Sequence, residues 1–126
     1  MENESLILEG KGVKPYNIRH RCFHFAKDIL NFERECRYER IHFSIFDQLI
    51  RSATSIGANV VEGSSGRTKK DFTNFFHIAL KSANETKYWL CLIRDSLMID
   101  KNILEPLIKE ADEISKIIAS IILSAK

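Results

Sequence analysis

The sequence predicts an all-α protein, organised as an antiparallel bundle of four helices connected up, down, up and down. Along most of the chain, apolar residues recur at alternating steps of three and four, which is the spacing of one helix face. Residues that break helices are scarce, with five glycines and two prolines among 126 residues. The segments between the periodic stretches are short, and short connections place consecutive helices side by side. At this length we expect one domain over residues 14–126, preceded by a mobile tail over residues 1–13.

Helix 1 is predicted over about residues 15–37. Pro15 suits the first turn of a helix, where its missing N–H group would have no partner within the helix. Residues 38–43 form the turn that follows. The helix carries an apolar stripe that we expect to face the core, because its members follow four- and three-residue steps. They are Ile18, Cys22, Phe25, Ile29, Phe32 and Cys36.

Helix 2 is predicted over about residues 44–62. Ser44 suits its start, and Asp47 adds a negative charge that favours a helix N-terminus. Gly57 lies within the helix, where glycine costs up to about 1 kcal/mol relative to alanine. We therefore expect a neighbouring helix to approach Gly57 closely. Gly63 is expected to end the helix and to open the loop that follows.

Helix 3 is predicted over about residues 69–97, and Thr68 can cap it, with Asp71 at the spacing of a capping box. At about 1.5 Å per residue the helix is roughly 43 Å long, so its partner helices should be long as well. A second apolar stripe runs beside the one that faces the core. Such a helix is either central in its own bundle or shared with another subunit. The second stripe consists of Phe75, Ile78, Ser82, Trp89 and Leu92.

Helix 4 is predicted over about residues 101–124. Asp100 can cap it, which leaves Pro106 in the second turn; alternatively, the regular helix begins at Pro106 itself. The isoleucines between Ile117 and Ile122 form an apolar band that is wider than one small bundle requires. We interpret this surplus as evidence of oligomerisation.

The cysteine pattern and the distribution of apolar residues favour a cytoplasmic protein. Cys22, Cys36 and Cys91 are odd in number, widely spaced and without a CxxC pair, which favours reduced thiols. The N-terminus is acidic and lacks the long apolar run of a signal peptide. No apolar stretch reaches the roughly 20 residues that a membrane-spanning helix needs. No sequence feature indicates a bound cofactor.

Positive charge is concentrated on helix 1 and around the start of helix 3. The formal net charge is only +2, but residues 11–40 carry eight basic and four acidic side chains. A mild excess of this kind is typical of a solvated surface, and it also suits a nucleic-acid backbone when several copies assemble. A Ser-Ser-Gly run precedes the basic residues at the predicted start of helix 3, where phosphate can bind, although no Walker sequence is present. The candidate nucleic-acid-binding residues are Arg19, Arg21, Lys27, Arg34, Arg37, Arg67, Lys69 and Lys70.

Two weak patterns raise the alternative of a metal-binding bundle. His20, His24 and Asp28 share one face of helix 1, and histidines at this spacing can hold zinc. The HExxH sequence is absent, so a solvated face is the simpler interpretation. Glu39 and His42 match half of a ferritin-like di-iron pattern, but the pattern occurs once and lies in the predicted turn. We therefore assign no metal ligand and no catalytic residue.

Helices 2 and 3 carry a long pattern of residue types. It comprises an arginine, Ser-Ile, an asparagine, Glu-Gly, a basic loop, a Lys-Asp-Phe helix start and a glutamate midway along helix 3. The matching positions are Arg51, Ser55, Ile56, Asn59, Glu62, Gly63, Arg67, Lys70, Phe72 and Glu85. This pattern resembles that of the four-helix bundle proteins of the 23S rRNA intervening-sequence family. One departure is Gly57, where many relatives have proline.

The resemblance implies a homopentameric ring of four-helix subunits. It also implies similarity to the accessory proteins of diversity-generating retroelements, which bind nucleic acid and a reverse transcriptase. The activity of the intervening-sequence proteins themselves is not established. The family therefore predicts the fold directly and the function only by association.

Four polar residues of the pattern lie close to the apolar stripes, and partly buried charges normally need partners. We expect them to form an ion-pair network between helices or between subunits that fixes their register. The alternative is a ligand site or a catalytic carboxylate pair. The residues are Arg51, Asn59, Glu62 and Glu85.

The sequence thus predicts a non-enzymatic, oligomeric helical scaffold. We expect its basic helix surfaces to bind RNA, DNA or a protein that processes nucleic acid, such as a reverse transcriptase. The first alternative is an adaptor that assembles only with proteins, and the second is the metal-binding bundle.

Overall fold

The computed structural model describes residues 17–126, which form four α-helices and no β-strand. The predicted all-α class is confirmed. The predicted tail over residues 1–13 and the helix start at Pro15 lie outside the described residues. The helices are α1 (Ile18–Glu35), α2 (Phe43–Ser64), α3 (Lys69–Ser96) and α4 (Lys101–Ser124), with a 3-10 turn (Arg40–His42) before α2.

Three helices begin after a residue whose side chain binds a backbone N–H group. Asn17, Thr68 and Asp100 each accept such a bond from a residue two or three positions later, at 2.8, 3.0 and 2.9 Å. These bonds satisfy N–H groups that have no partner within the helix. The cap predicted at Thr68 is confirmed. Because α4 begins after Asp100, Pro106 lies inside the helix and does not start it.

The predicted start of helix 2 near Ser44 is one residue later than the start in the structure. The helix begins at Phe43, and the residue before it, His42, makes no side-chain capping bond. The reason is that the 3-10 turn leads directly into α2, with the His42 N–H group donating to the Glu39 carbonyl oxygen at 2.9 Å. Helix α1 ends at Glu35, two residues before the predicted end, because the backbone of the next residue is extended.

The four helices surround one apolar core. Each helix packs against the next one in the chain, and α1 also packs against α4. Every helix contributes fully buried side chains, so each one covers part of the same core. The largest of these side chains are Phe25, Phe46, Phe76, Ile29, Leu49, Ile56, Leu90, Ile93, Leu104, Ile114, Ile118 and Val60.

Two glycines of α2 mark places where this helix lies against its neighbours. A Cβ atom at Gly57 would lie 3.2 Å from the Cβ atom of Cys22, so the predicted close approach of another helix is confirmed, and that helix is α1. A Cβ atom at Gly63 would lie 2.7 Å from the Phe76 ring of α3. Gly63 was expected to end the helix. It lies within the last turn of α2, which reaches Ser64, and its small size allows α3 to pack there.

The isoleucine band of α4 is mostly used inside the subunit. Ile118 and Ile122 are buried, and Ile117 and Ile121 are half-buried. The band is therefore weaker evidence of oligomerisation than the sequence indicated. Among the described residues, no helix has the length and apolar content needed to cross a membrane. Large apolar side chains are exposed elsewhere, at Phe23, Leu30, Ile41, Phe43, Ile78, Tyr88, Met98, Ile103 and Leu123.

Candidate nucleic-acid interface

The basic candidates lie at two different ends of the molecule. We call the end with residues 65–68 the loop end, and the end with residues 36–42 and 97–100 the turn end. Cys36 and Met98 line one cavity at the turn end, of about 240 Å³. Two candidates 15 residues apart on α1, such as Arg19 and Arg34, are separated by about 22 Å. The predicted residues therefore do not form a single patch.

Arg21 is occupied by acidic side chains of α4. Its Nη2 atom donates to Glu110 at 2.7 Å and to Glu113 at 2.9 Å, and its Nε atom donates to Glu110 at 3.0 Å. The hydrogen bond with Glu110 raises the pKa of Arg21, against the opposing effect of its partial burial. This residue joins α1 to α4, and its charge is largely neutralised there.

The candidates at the turn end have acidic neighbours. Arg34 is exposed and donates to the side chain of Asn31 at 2.7 Å. Arg37 is exposed as well, but Glu35 and Glu39 are exposed on either side of it. Along α1 between the two ends, the Lys27 ammonium group lies 5.8 Å from the centre of the Phe23 ring. A phosphate group near Arg37 would therefore meet charges of both signs.

The candidates at the loop end are less compensated. Arg67, Lys69 and Lys70 are all exposed, and none of them has a hydrogen bond or an ion pair with the part of the chain that the structure describes. Arg19 lines a groove of about 340 Å³ together with Glu62 of the last turns of α2. The loop end thus brings three exposed basic candidates close together in the sequence, with Asp71 and Glu62 as the acidic side chains on the same end.

Sequence reasoning missed a histidine and a lysine that extend the loop-end cluster of Arg67, Lys69 and Lys70 along α3. His77 and Lys81 are exposed on the side of α3 that carries Lys70. They were overlooked because they are isolated in the sequence and do not form a charge run. The signal that could have identified them is the three- and four-residue spacing of polar residues, read in the same way as an apolar stripe.

The polar residues of the family pattern do not form the ion-pair network that we expected between helices of one subunit. Arg51 binds Asp47 of its own helix at 2.9 Å, and Glu85 accepts from the Trp89 indole of its own helix at 3.0 Å. Glu62 is exposed on the groove between α1 and α2. A network between subunits stays a prediction.

Hydroxyl groups, not charges, join α2 to α3. The Ser82 hydroxyl donates to the Ser55 hydroxyl at 2.9 Å, and the Thr86 hydroxyl lies 2.9 Å from that of Ser52. The side chain of Asn59 donates to both the Ser55 hydroxyl, at 2.9 Å, and the Ser55 carbonyl oxygen, at 2.8 Å. These small residues let the two helices approach closely while their buried polar groups stay paired.

The metal-binding alternative gains no support from the described residues. Within residues 17–126, no three histidine, cysteine, aspartate or glutamate side chains are grouped in a way that could hold a metal ion, and the weak pattern from His20 to Asp28 is included in that statement. Burial raises the pKa of Asp28. All three cysteines are free thiols, and burial raises the pKa of Cys22 to about 12. A thiol with so high a pKa is a poor nucleophile and a poor metal ligand.

Residues 14–120 match the family of the 23S rRNA-intervening sequence protein. A crystal structure of a protein with unknown function from the S23 ribosomal protein family of Bacteroides thetaiotaomicron VPI-5482 is similar, with a TM-score of 0.75 and 38% identity. The match covers 84% of this chain and 98% of that one. No curated protein matches the chain significantly. The chain belongs to the 23S rRNA-intervening sequence protein family, as its residue pattern had indicated.

Proposed function

We propose that this protein is a non-enzymatic scaffold that binds the sugar-phosphate backbone of RNA or DNA at its loop end. The observation that carries the proposal is the exposed group of Arg67, Lys69 and Lys70, whose charges have no acidic partner in residues 17–126. The family is named after an insertion in 23S rRNA, which associates its members with nucleic acid.

We expect the side chains of Arg67, Lys69 and Lys70 to bind the phosphates, rather than the backbone N–H groups at the N-terminus of α3. Thr68 already accepts the Asp71 N–H group, and the Asp71 carboxylate adds a negative charge in the first turn of α3. That carboxylate opposes a phosphate at the helix N-terminus. Arginine and lysine side chains can reach phosphates outside this turn and release the counterions that surround them.

We further propose that the helices run up, down, up and down, and that several copies assemble into a ring. The antiparallel order of α2 and α3 is supported by their contacts, because Ser52 lies beside Thr86 while the later Ser55 lies beside the earlier Ser82. A ring of five copies, as the family resemblance suggests, would carry about +10 and attract a polyanion more strongly than one copy. Exposed apolar side chains such as Phe23 and Leu30 support association between copies.

The second candidate function is an adaptor that binds only proteins, and one feature of the turn end favours it. Ile41, Phe43, Met98 and Ile103 expose 80%, 60%, 105% and 52% of their surface around that end. Apolar side chains at this density are typical of protein interfaces. A partner such as a reverse transcriptase could bind there whether or not the loop end binds nucleic acid.

The experiment is a comparison of two triple variants by fluorescence anisotropy with labelled RNA and DNA at 50 and 200 mM salt. Arg67→Gln/Lys69→Gln/Lys70→Gln removes three charges at the loop end, and Arg34→Gln/Arg37→Gln/Arg40→Gln removes three at the turn end. We expect the loop-end variant to lose at least about tenfold in affinity and its salt slope to fall by roughly two to three. The affinity of the turn-end variant should change much less.

A wild-type protein that binds neither RNA nor DNA at 50 mM salt would overturn the proposal. A protein that co-purifies with it would then favour the adaptor.

A further inference from the structure

A continuous polar stripe runs along the exposed side of α3. Its members follow one another at four- and three-residue steps, and all of them are exposed. At about 100° of rotation per residue they fall within a sector of roughly 80° on the helix surface. We call this row the α3 stripe; its members are Lys70, Asn74, His77, Lys81, Asn84 and Tyr88.

The α3 stripe contains no acidic residue. The two acids of this part of α3 lie to one side of it: Asp71 is next to the Thr68 cap, and Glu85 accepts the Trp89 indole N–H group. The basic residues that α3 presents to α4 are different ones. Lys87 binds Asp112 at 3.1 Å and Arg94 binds Glu105 at 3.0 Å, so acids compensate those cations but not Lys70 or Lys81.

We propose that the α3 stripe is a contact line for one single-stranded segment of nucleic acid, which continues from the loop-end cluster to Tyr88. The inference rests on the proposed function and adds the path that the bound strand follows across the protein surface. From Lys70 to Tyr88 the stripe is about 27 Å long. That length corresponds to roughly eight nucleotides if the strand keeps the axial rise of about 3.4 Å that one strand has in a duplex, and to fewer if it is more extended.

Each kind of side chain on the stripe suits part of such a strand. The lysines neutralise phosphates, while the amide groups of Asn74 and Asn84 donate hydrogen bonds to phosphate or sugar oxygens. Tyr88 is 59% exposed at the end of the row. An exposed aromatic ring on the same helix side as two exposed lysines is a combination that binds unpaired bases by stacking, which favours a single strand over a duplex.

A pair of charge reversals tests the path. Lys81→Glu lies on the α3 stripe, and Lys101→Glu is an exposed control at the start of α4, where an acid favours the helix N-terminus. Both change the net charge equally. With a labelled single-stranded 20-mer we expect Lys81→Glu to bind about five- to tenfold more weakly with a salt slope lower by about 0.7, and Lys101→Glu to stay within about twofold.

Tyr88→Ala tests the stacking contact separately from charge. We expect an affinity loss of about fivefold or more for the single strand and little change for a duplex of the same sequence. The intrinsic fluorescence of Trp89 gives a second measurement, because it is the only tryptophan and its ring centre lies 5.0 Å from that of Tyr88. An unlabelled strand on the α3 stripe should change this fluorescence in the wild type and in Lys101→Glu, and change it less in Lys81→Glu.

The outcomes separate the path from the function. If the wild type binds and both stripe variants bind as tightly, the path is wrong while the proposed function stands. Equal losses of affinity in Lys81→Glu and Lys101→Glu would indicate a general charge effect and would also overturn the path. The path would be overturned as well if light scattering showed that the Lys81→Glu protein dissociates into single subunits. A wild type that binds no strand at 50 mM salt would remove the function and the path together. Circular dichroism checks folding, and Lys81→Gln replaces Lys81→Glu if the latter does not fold.

Discussion

Individual residues show where sequence reasoning about chemistry succeeds and where it fails. The close approach at Gly57 could be predicted, because a glycine in a helix interior needs a reason. The role of Arg21 could not, since its acidic partners are 89 and 92 positions away in the sequence. The list of candidate binding residues, which was drawn from charge alone, therefore included an arginine that forms a structural ion pair together with cations that are exposed. Only three-dimensional structure distinguishes paired basic residues from exposed ones.

The two α2 glycines should respond differently to a methyl group. At Gly63 the new Cβ atom would overlap the buried Phe76 ring, at 2.7 and 2.9 Å, so we expect Gly63→Ala to lower the free energy of unfolding by about 1–3 kcal/mol. At Gly57 the nearest atom is 3.2 Å away, and the gain in helix propensity of up to about 1 kcal/mol offsets the tighter contact. Urea unfolding of both variants provides the measurement. A Gly63→Ala protein as stable as Gly57→Ala would contradict this account of the α2–α3 contact.

Cys22 should make stability depend on alkaline pH. Burial raises its pKa to about 12 in the folded protein from about 9.0 in an unfolded chain. The unfolded state therefore releases the proton first, so the stabilisation is complete below about pH 9 and is lost as the pH rises from 9 towards 12. We expect Cys22→Ala to be less stable than the wild type at pH 7 but to lose less stability between pH 8.5 and 10.5. Equal losses in the two proteins would show that the Cys22 thiol does not contribute.

For the helices, apolar periodicity and N-capping residues provided most of the signals from which their positions could be predicted. The long helix α3 and its Thr68 cap follow from apolar spacing and a threonine at the right position. The start of α2 was predicted to within one residue, but the 3-10 turn that leads into it was not, because it has no strong sequence signal. Four polar residues of the family pattern were expected to form an ion-pair network between helices or between subunits, whereas the polar contacts between α2 and α3 within one subunit are made by hydroxyl groups. Ser82 was placed on the second apolar stripe of helix 3, but its partner on another helix is not visible in a sequence.

The hydroxyl contact between α2 and α3 can be measured with a double-mutant cycle. Thr86 is fully buried and Ser52 is buried, with their hydroxyl groups 2.9 Å apart. We expect Thr86→Val alone to lower the free energy of unfolding by about 1 kcal/mol, because it leaves the Ser52 hydroxyl with fewer partners. Adding Ser52→Ala should cost less in that background than in the wild type, with a coupling of about 0.5–1 kcal/mol. Purely additive effects would mean that the two hydroxyl groups do not depend on each other.

The whole molecule shows which parts of the functional prediction depended on the fold. The family and the all-α class could be predicted from the residue pattern and the periodicity. The sequence did not show that the basic candidates are divided between two sites. Helices of this length place Arg19 and Arg37 at different ends of the molecule. The fold instead joins the loop-end cluster to Lys81 and Tyr88, which are separated from it in the sequence but share one side of α3. Assembly stays a prediction, and it now depends on exposed apolar residues other than the isoleucines of α4.

Crosslinking tests the central claim, that nucleic acid binds along α3, most directly. A single-stranded RNA with photoreactive uridines would be irradiated with the wild-type protein at 50 mM salt, and the crosslinked peptides identified by mass spectrometry. The account predicts that most crosslinks map to residues 67–88, with Tyr88 among the modified positions, and that they decrease at 200 mM salt. Crosslinks confined to residues 34–43 and 96–103, or crosslinks that do not respond to salt, would contradict it.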